Sequence, residues 1–309
     1  VPELPEVETV RLGLSDYLAG ARIRAVEILD DRSLKRHLAG PKDFVKTLAD
    51  ARILGVVRRG KFLWMPLELA KGDTGLALVG HLGMSGQMLI RDAGADADKL
   101  TRIVLHVESA KGEDLEFRFV DQRIFGSLQI DELVPTSDGS AGGFSAGIGS
   151  GSPWQNLIPR SAAHIARDPL DEHFDEAGVL AKFKKKNSGI KRVLLDQQVL
   201  SGIGNIYADE ALWASKLHYD YPASRLSKAK AVELLTAVRG ILARAVDAGG
   251  TSFDEQYKNV NGESGYFEVS LNAYGQTGKP CNRCGKPIKR DSWMNRGSHF
   301  CPNCQKRAR

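Results

Sequence analysis

Cysteine is almost missing from this chain of 309 residues: four occur, all between Cys281 and Cys304. That confinement excludes a disulfide framework spread over the fold and leaves metal binding as the natural use of the sulfur. Long hydrophobic runs are lacking as well. No stretch approaches the roughly 18 consecutive apolar residues of a membrane-spanning helix, and the leading VPELPEVETV has no basic-then-apolar secretory pattern, so a cytoplasmic protein is expected. Neither sign of charge dominates: 43 Lys+Arg against 38 Asp+Glu leaves a net +5, which by itself argues only weakly for a polyanionic partner. What is present, 42% hydrophobic and 26% charged residues, suits a globular chain of about two domains.

The positive charge is unevenly placed. Between Cys281 and Arg309 stand Arg283, Lys286, Lys289, Arg290, Arg296, Lys306, Arg307 and Arg309 against Asp291 alone. A second basic run, Lys182, Lys184, Lys185, Lys186, Lys191 and Arg192, lies mid-chain. Such runs commonly just solvate a surface, so nucleic acid is at this point one candidate partner.

Val7, Val10, Leu14, Tyr17 and Leu18 fall at helical spacing near the start, with Pro5 suited to the first turn and Glu6 and Glu8 favourable at the positive end of the dipole. The segments 21–29, 52–59, 61–69, 100–108 and 114–120 then alternate and carry Val, Ile and Phe, which predicts a two-layer β domain. GSAGGFSAGIGSGS, residues 139–152, cannot pack a core and is expected to be a flexible linker at a domain boundary. Beyond it the periodicity is helical in 175–185, 190–200, 205–217 and 228–248, the last stopped by Gly249 and Gly250. The predicted class is α+β multidomain. Residues 1–135 are expected to form an N-terminal β-sandwich with flanking helices, 136–168 a linker with a Gly/Ser-rich insertion, 169–255 a helical domain, and 256–309 the end of a loop and a zinc module.

Cys281, Cys284, Cys301 and Cys304 form two CxxC knuckles whose thiolates close a tetrahedron around one Zn²⁺. Four thiolates leave no open position for an activated water, so the ion is structural. The intervening KPIKRDSWMNRGSHF reads as two short strands around a turn at Asn295, Arg296 and Gly297, which would hold Arg296 on a rigid arm with a fork of donors for phosphate. A solvated turn arginine is the plainer reading of the same residue.

PELPEVE puts a proline and a carboxylate at the chain start. An α-amino group titrates near about 7.7–8.0, against about 10.4 for lysine, so it is substantially neutral at physiological pH and a ready nucleophile. A terminal proline amine is secondary, so its attack on a sugar C1′ gives an iminium that is cationic at any pH and withdraws electrons from adjacent bonds. Glu3 could protonate the ring oxygen or the departing group. A plain helix start also favours Pro and Glu.

PELPEVETV at the start, GKFLW at 60–64, HLGMSGQM at 81–88, DQRIFGSL at 121–128, LLDQQVLSGIGNIYADEAL at 194–212 and CNRCGKPIKR…NRGSHFCPNCQ at the end together resemble the bacterial formamidopyrimidine-DNA glycosylases, over nearly the whole chain and in the right order. Leu4 and Val7 favour that branch over the related endonuclease VIII, which usually reads PEGPE. The resemblance implies a β-sandwich, a helix-two-turns-helix domain and a zinc finger in a bacterial cytoplasmic enzyme, associated with the nucleoid through DNA and acting as a monomer on duplex DNA containing oxidised purines. It implies that Pro2 is the Schiff-base nucleophile and Glu3 the proton donor. By the same matching Lys61 assists the chemistry and contacts the backbone, and Arg296 grips the phosphate at the lesion and takes part in the second elimination. Met84, Arg123 and Phe125 match residues that fill the gap left by an extruded base. His81 and Asn205 match phosphate contacts, and residues 251–266 match the loop that covers the extruded base.

The chain departs from the family pattern at several places. Val1 would acylate the Pro2 nitrogen, so the expected chemistry requires its removal, as from a non-standard start codon read as methionine. If it stays, a lesion-binding protein without catalysis is the alternative; a pocket for oxidised pyrimidines, as in endonuclease VIII, is another. Leu100 stands where the family often has a phosphate-binding histidine, and Asn187 where a basic residue is common. Asn187 can still hydrogen-bond a phosphate.

Overall fold

The structure, a computed structural model, describes residues 2–145, 151–250, 260 and 271–308. They fall into two compact units: one runs to His164 and includes Val260, the other comprises residues 165–250 and the described residues from Leu271 onward.

The first unit opens with helix α1 (Leu4–Leu18), whose Val7, Val10, Leu14 and Leu18 line one face and are all buried. A capping box starts it: the Glu3 amide donates to Glu6 Oε2 at 2.8 Å while the Glu3 side chain accepts from the Glu6 amide. Strand β1 (Arg22–Ile28) and helix α2 (Gly40–Leu48) follow, then β2 (Arg52–Ile53), β3 (Val57–Arg59), β4 (Phe62–Glu68), β5 (Leu76–His81), β6 (Gly86–Asp92), β7 (Thr101–Glu108), β8 (Asp114–Asp121), β9 (Ser127–Pro135) and β10 (Leu157–Pro159). Hydrogen bonding runs in the order β10-β9-β5-β4-β2-β1-β7-β8-β6, with β3 on β4. Among the described residues the two-residue β2 links β4 to β1, and the strands on either side of it form two layers. Leu63, Met65 and Leu78 from one layer and Ile103, Leu105, Phe117 and Phe119 from the other share one core with α1, the β-sandwich expected from the strand alternation.

The second unit contains α3 (Glu176–Lys185), α4 (Ile190–Leu194), α5 (Asn205–Ala214), α6 (Lys228–Asp247) and the hairpin β11 (Lys289–Trp293) with β12 (Arg296–Phe300). Helix α6 is capped by Ser227, whose Oγ accepts from the Lys230 amide, and buries Leu234, Leu235, Val238, Ile241 and Leu242; positive φ at Gly249 and Gly250 ends it.

Several expectations need correction. The helix predicted over 190–200 stops at Leu194, because Gln197 offers the backbone an alternative: its Nε2 donates to Leu195 O and Ile203 O and its Oε1 accepts from the Gly202 amide. The strand predicted over 52–59 is two short strands, and α2, β5, β6 and β9 were not expected at all. The finger's turn is Met294-Asn295, both at positive φ, so Arg296 is the first residue of β12, opposite Trp293, and not the turn's centre. The described part of the Gly/Ser segment is pinned to the first unit. Phe144 exchanges backbone hydrogen bonds with Arg58 at 3.0 and 2.7 Å, Arg59 Nε donates to Gly142 O at 2.7 Å, and the Arg11 guanidinium lies 5.1 Å from the Phe144 ring centroid. Residues 146–150 lie outside the described residues.

Candidate active site and metal centre

At the head of α1, Pro2 and Glu3 are both buried. The capping box uses both the Glu3 amide, which donates to the Glu6 carboxylate, and the Glu3 carboxylate, which accepts from the Glu6 amide, and so fixes residue 3 directly after Pro2.

Lys61 follows the Gly60 turn between β3 and β4. That turn is tied to α1 through a buried ion network: Glu8 accepts from Arg11 at 2.8 Å and from Arg58 Nε at 2.7 Å, and Arg58 Nη1 donates to Gly60 O at 3.2 Å. The turn before Lys61 is thereby registered against the helix that begins beside Pro2.

His81 ends β5. Its Nδ1 accepts from the Gly83 amide at 3.1 Å, which leaves the proton on Nε2. Burial, and then the positive charges of Arg36, Lys35 and Lys61, push its pKa down to about 4. His81 is therefore a neutral N–H donor at physiological pH, able to meet a phosphate oxygen in a neighbourhood already rich in cations.

Met84 sits in the β5–β6 turn, and Arg123 and Phe125 in the β8–β9 loop. These loops are neighbours because β5 pairs with β9 (His81 opposite Ser127) and β6 with β8 (Gly86 opposite Asp121). Met84 is 40% exposed and Phe125 50%, against the burial expected of core residues of their type, and Arg123 is exposed too. Leu100 is exposed at φ 65°, just before β7, and offers no donor.

In the second unit, Asn205 opens α5 and its Nδ2 donates to Gly297 O at 3.1 Å, which places it beside Arg296 at the head of β12. One Nδ2 hydrogen is used there and the other can face a phosphate. Lys191 Nζ donates to the same Gly297 O at 3.1 Å and to Ser298 Oγ at 2.8 Å. Asp209 Oδ2 accepts from the His299 amide at 2.9 Å. Asn187 is exposed, and its Oδ1 accepts from Ser224 Oγ, so its Nδ2 is what it offers a phosphate.

The ligand sulfurs of Cys281, Cys284, Cys301 and Cys304 all lie within 4.8 Å of one another, compatible with a tetrahedron at a Zn–S distance of about 2.3 Å. Trp213 Nε1 donates to Cys281 Sγ at 3.3 Å and the Cys304 amide approaches Cys301 Sγ at 3.5 Å, the kind of donors that stabilise bound thiolates. Gln305 braces the second knuckle, accepting from the Cys301 amide at 2.7 Å and donating to Leu217 O at 2.8 Å. The four cysteines form one structural Zn²⁺ site.

Three family models match in succession: the formamidopyrimidine-DNA glycosylase N-terminal domain over residues 1–128, the H2TH domain of the same enzymes over 165–256, and a zinc finger found in FPG and IleRS over 278–307. A formamidopyrimidine-DNA glycosylase of Leifsonia xyli is 53% identical over 308 residues, covering 99% of this chain and 100% of its own. The chain belongs to the formamidopyrimidine-DNA glycosylase family. A Streptomyces coelicolor member is 48% identical over 306 residues, 99% of this chain and 98% of its own. Among solved structures, Lactococcus lactis Fpg bound to DNA containing an abasic site matches with a TM-score of 0.78 at 30% identity, covering 98% of this chain and 99% of that one. The same protein with N7-benzyl-Fapy-dG DNA also matches at 0.78 and 30%, covering 99% and 100%.

Of the site residues expected from the sequence, Pro2, Glu3, Lys61, His81, Met84, Arg123 and Phe125 lie in the first unit and Asn187, Asn205 and Arg296 in the second. Val1 and the stretch 251–266, apart from Val260, lie outside the described residues. Sequence reasoning put Lys191 among exposed cations; it is wholly buried and paired with Asp209. Three more lysines of that run make internal contacts: Lys182 donates to Gln198 O, Lys184 to Leu226 O, and Lys186 pairs with Asp196 at 2.9 Å. Glu210 was missed altogether. It is buried on α5 and accepts from the consecutive amides of Asn272, Ala273 and Tyr274 at 2.7–2.9 Å, fixing the chain where it re-enters the described structure. Only its place in an otherwise apolar helix face hinted at this.

Proposed function

We propose that this chain is a base-excision repair enzyme of the bacterial cytoplasm, working at the nucleoid. It removes oxidised purines, 8-oxoguanine and formamidopyrimidines, from duplex DNA and then cuts the resulting abasic site. The observation that carries this reading is a proline and a glutamate at the buried head of α1, in a chain matched over its full length by the glycosylase family. The Lactococcus lactis relative is seen with DNA carrying an abasic site or a Fapy-dG lesion, which supports the same substrate class here.

With Val1 removed, the Pro2 nitrogen attacks C1′ of the extruded nucleotide and the bond to the damaged base breaks. Glu3 supplies a proton to the ring oxygen or the departing base, and the opened sugar carries the iminium. Loss of a C2′ proton expels the 3′ phosphate, loss of a C4′ proton expels the 5′ phosphate, and water then releases Pro2. Lys61 assists near the sugar. Arg296, Asn205, His81 and Asn187 hold phosphates. Arg296 also favours departure of the second phosphate by meeting its charge. Met84, Arg123 and Phe125 occupy the gap in the stack and keep the duplex from closing on it.

The test compares duplexes carrying 8-oxoguanine and thymine glycol. Faster excision of 8-oxoguanine followed by a one-nucleotide gap is expected. Preference for thymine glycol, or tight binding without any cut, would contradict the reading.

A further inference from the structure

Asp121 is the last residue of β8, and its side chain is completely buried although it carries a carboxylate. A buried carboxylate is costly unless its oxygens are met by donors. Here they are met from two loops at once. Oδ1 accepts from Ser85 Oγ at 2.6 Å and from the Arg123 amide at 3.1 Å, and Oδ2 accepts from the Gly126 amide at 2.7 Å. Ser85 Oγ also lies 3.2 Å from the Arg123 amide. The donors thus come from the residue after Met84 and from both ends of the Arg123–Phe125 stretch.

The surrounding backbone leaves these loops little freedom. Gly83 is at φ 62°, and a Cβ there would come within 2.5 Å of the Phe125 and Gly126 backbone, so the two loops touch main chain to main chain. Ile124 is held at φ 55°, a conformation costly for a β-branched residue, while Lys35 Nζ donates to its carbonyl at 2.6 Å. Arg102 Nε holds the Asp121 carbonyl at 2.8 Å. The exposed Met84, Arg123 and Phe125 side chains therefore stand on a base whose shared element is one carboxylate.

From this we infer that Asp121, seconded by Ser85, is a positioning residue: it locks the two loops into one rigid wedge so that the three exposed side chains enter the base stack together. The inference rests on the proposed void-filling role of those side chains. Asn is isosteric with Asp but has a single acceptor oxygen, so Asp121→Asn must turn an NH₂ group toward amide or hydroxyl donors on one side and release one loop. A misplaced wedge costs extrusion of a base from an intact duplex. It leaves the chemistry at an abasic site, where no base has to be removed, close to normal.

The experiment measures single-turnover 8-oxoguanine excision from duplex DNA and nicking of a preformed abasic site for the wild-type chain, Asp121→Asn, Ser85→Ala, the Arg123→Ala/Phe125→Ala pair, and Asp121→Asn combined with that pair. The expected result is excision slowed on the order of tenfold to a hundredfold by Asp121→Asn, with near-normal abasic nicking and no further loss when Asp121→Asn is added to the pair. Ser85→Ala, which keeps the carboxylate and removes one donor, is expected to show the same pattern more weakly and carries the test should Asp121→Asn fail to fold. Equal loss of excision and nicking, or an equal effect of Asp121→Asn with and without the loop side chains, would overturn the inference. Wild-type excision by the Arg123→Ala/Phe125→Ala pair would instead show that the void-filling role is wrong, and the inference would fall with it.

Discussion

Lys191 Nζ lies 2.7 Å from Asp209 Oδ1, with neither side chain more than 1% exposed. This ion pair sits under the strand that carries Arg296: Lys191 also donates to Gly297 O and Ser298 Oγ, and Asp209 receives the His299 amide. The arginine's position is thus set by a charge pair contributed from α4 and α5. Removing one partner strands the other in the interior. Asp209→Leu is expected to destabilise the protein by about 3–5 kcal/mol, whereas Lys191→Met/Asp209→Leu, which leaves no orphan charge, costs clearly less. Urea unfolding of the three proteins checks it.

Zinc and Trp213 are coupled through the Trp213 Nε1–H to Cys281 Sγ contact, and the Arg283 guanidinium lies 4.1 Å from the Trp213 ring centroid. Burial pushes the Cys301 thiol up to about 12, so binding of the ion must expel protons, and acid favours its release. Chelation is expected to remove one zinc per chain, shift the Trp213 emission and weaken DNA binding. Trp213→Phe should shrink the emission change to what Trp293 of β11 contributes, while one zinc per chain is still bound.

Salt dependence separates the proposed phosphate contacts. Arg296 is cationic and Asn205 neutral, so Arg296→Ala is expected to lower the slope of log K against log salt by about 0.9, the value for one neutralised phosphate. Asn205→Ala is expected to weaken binding with the slope unchanged. Binding titrations between low and physiological salt distinguish the two.

His81 carries a sign that can be checked. Its folded pKa is held down to about 4 from 6.5, so between those values the unfolded chain binds a proton that the folded chain does not. Its contribution therefore makes the fold less stable as pH falls from about 6.5 to about 4, with no further loss below. His81→Gln is expected to flatten stability against pH across that window, and ¹⁵N shifts should show a proton on Nε2 that persists to pH 5.

The parts of this protein legible in its sequence are those set by local rules. The alternation of residues 114–120, the apolar face of α1 and the spacing of the cysteines each carry their own signal, and the structure bears out the β-sandwich and the four-cysteine cluster. What escaped depends on partners distant in sequence. Lys191 looks like one more exposed cation until Asp209 and β12 close over it, and Asp121 looks like part of a motif until Ser85 and Gly126 converge on it. The 190–200 segment has helical periodicity, yet the Gln197 side chain outcompetes the helix after Leu194. Strands β5 and β6 were hidden because HLGMSGQM drew notice as a motif and because four residues of turn interrupt its pattern.

Borohydride trapping on an 8-oxoguanine duplex, followed by intact-mass and peptide mapping, tests the central chemistry most directly. The account predicts a covalent adduct on a polypeptide that has lost Val1, with the sugar remnant on the Pro2 nitrogen. An adduct on Lys61 or any other side chain, or an active protein that still carries Val1, would contradict it.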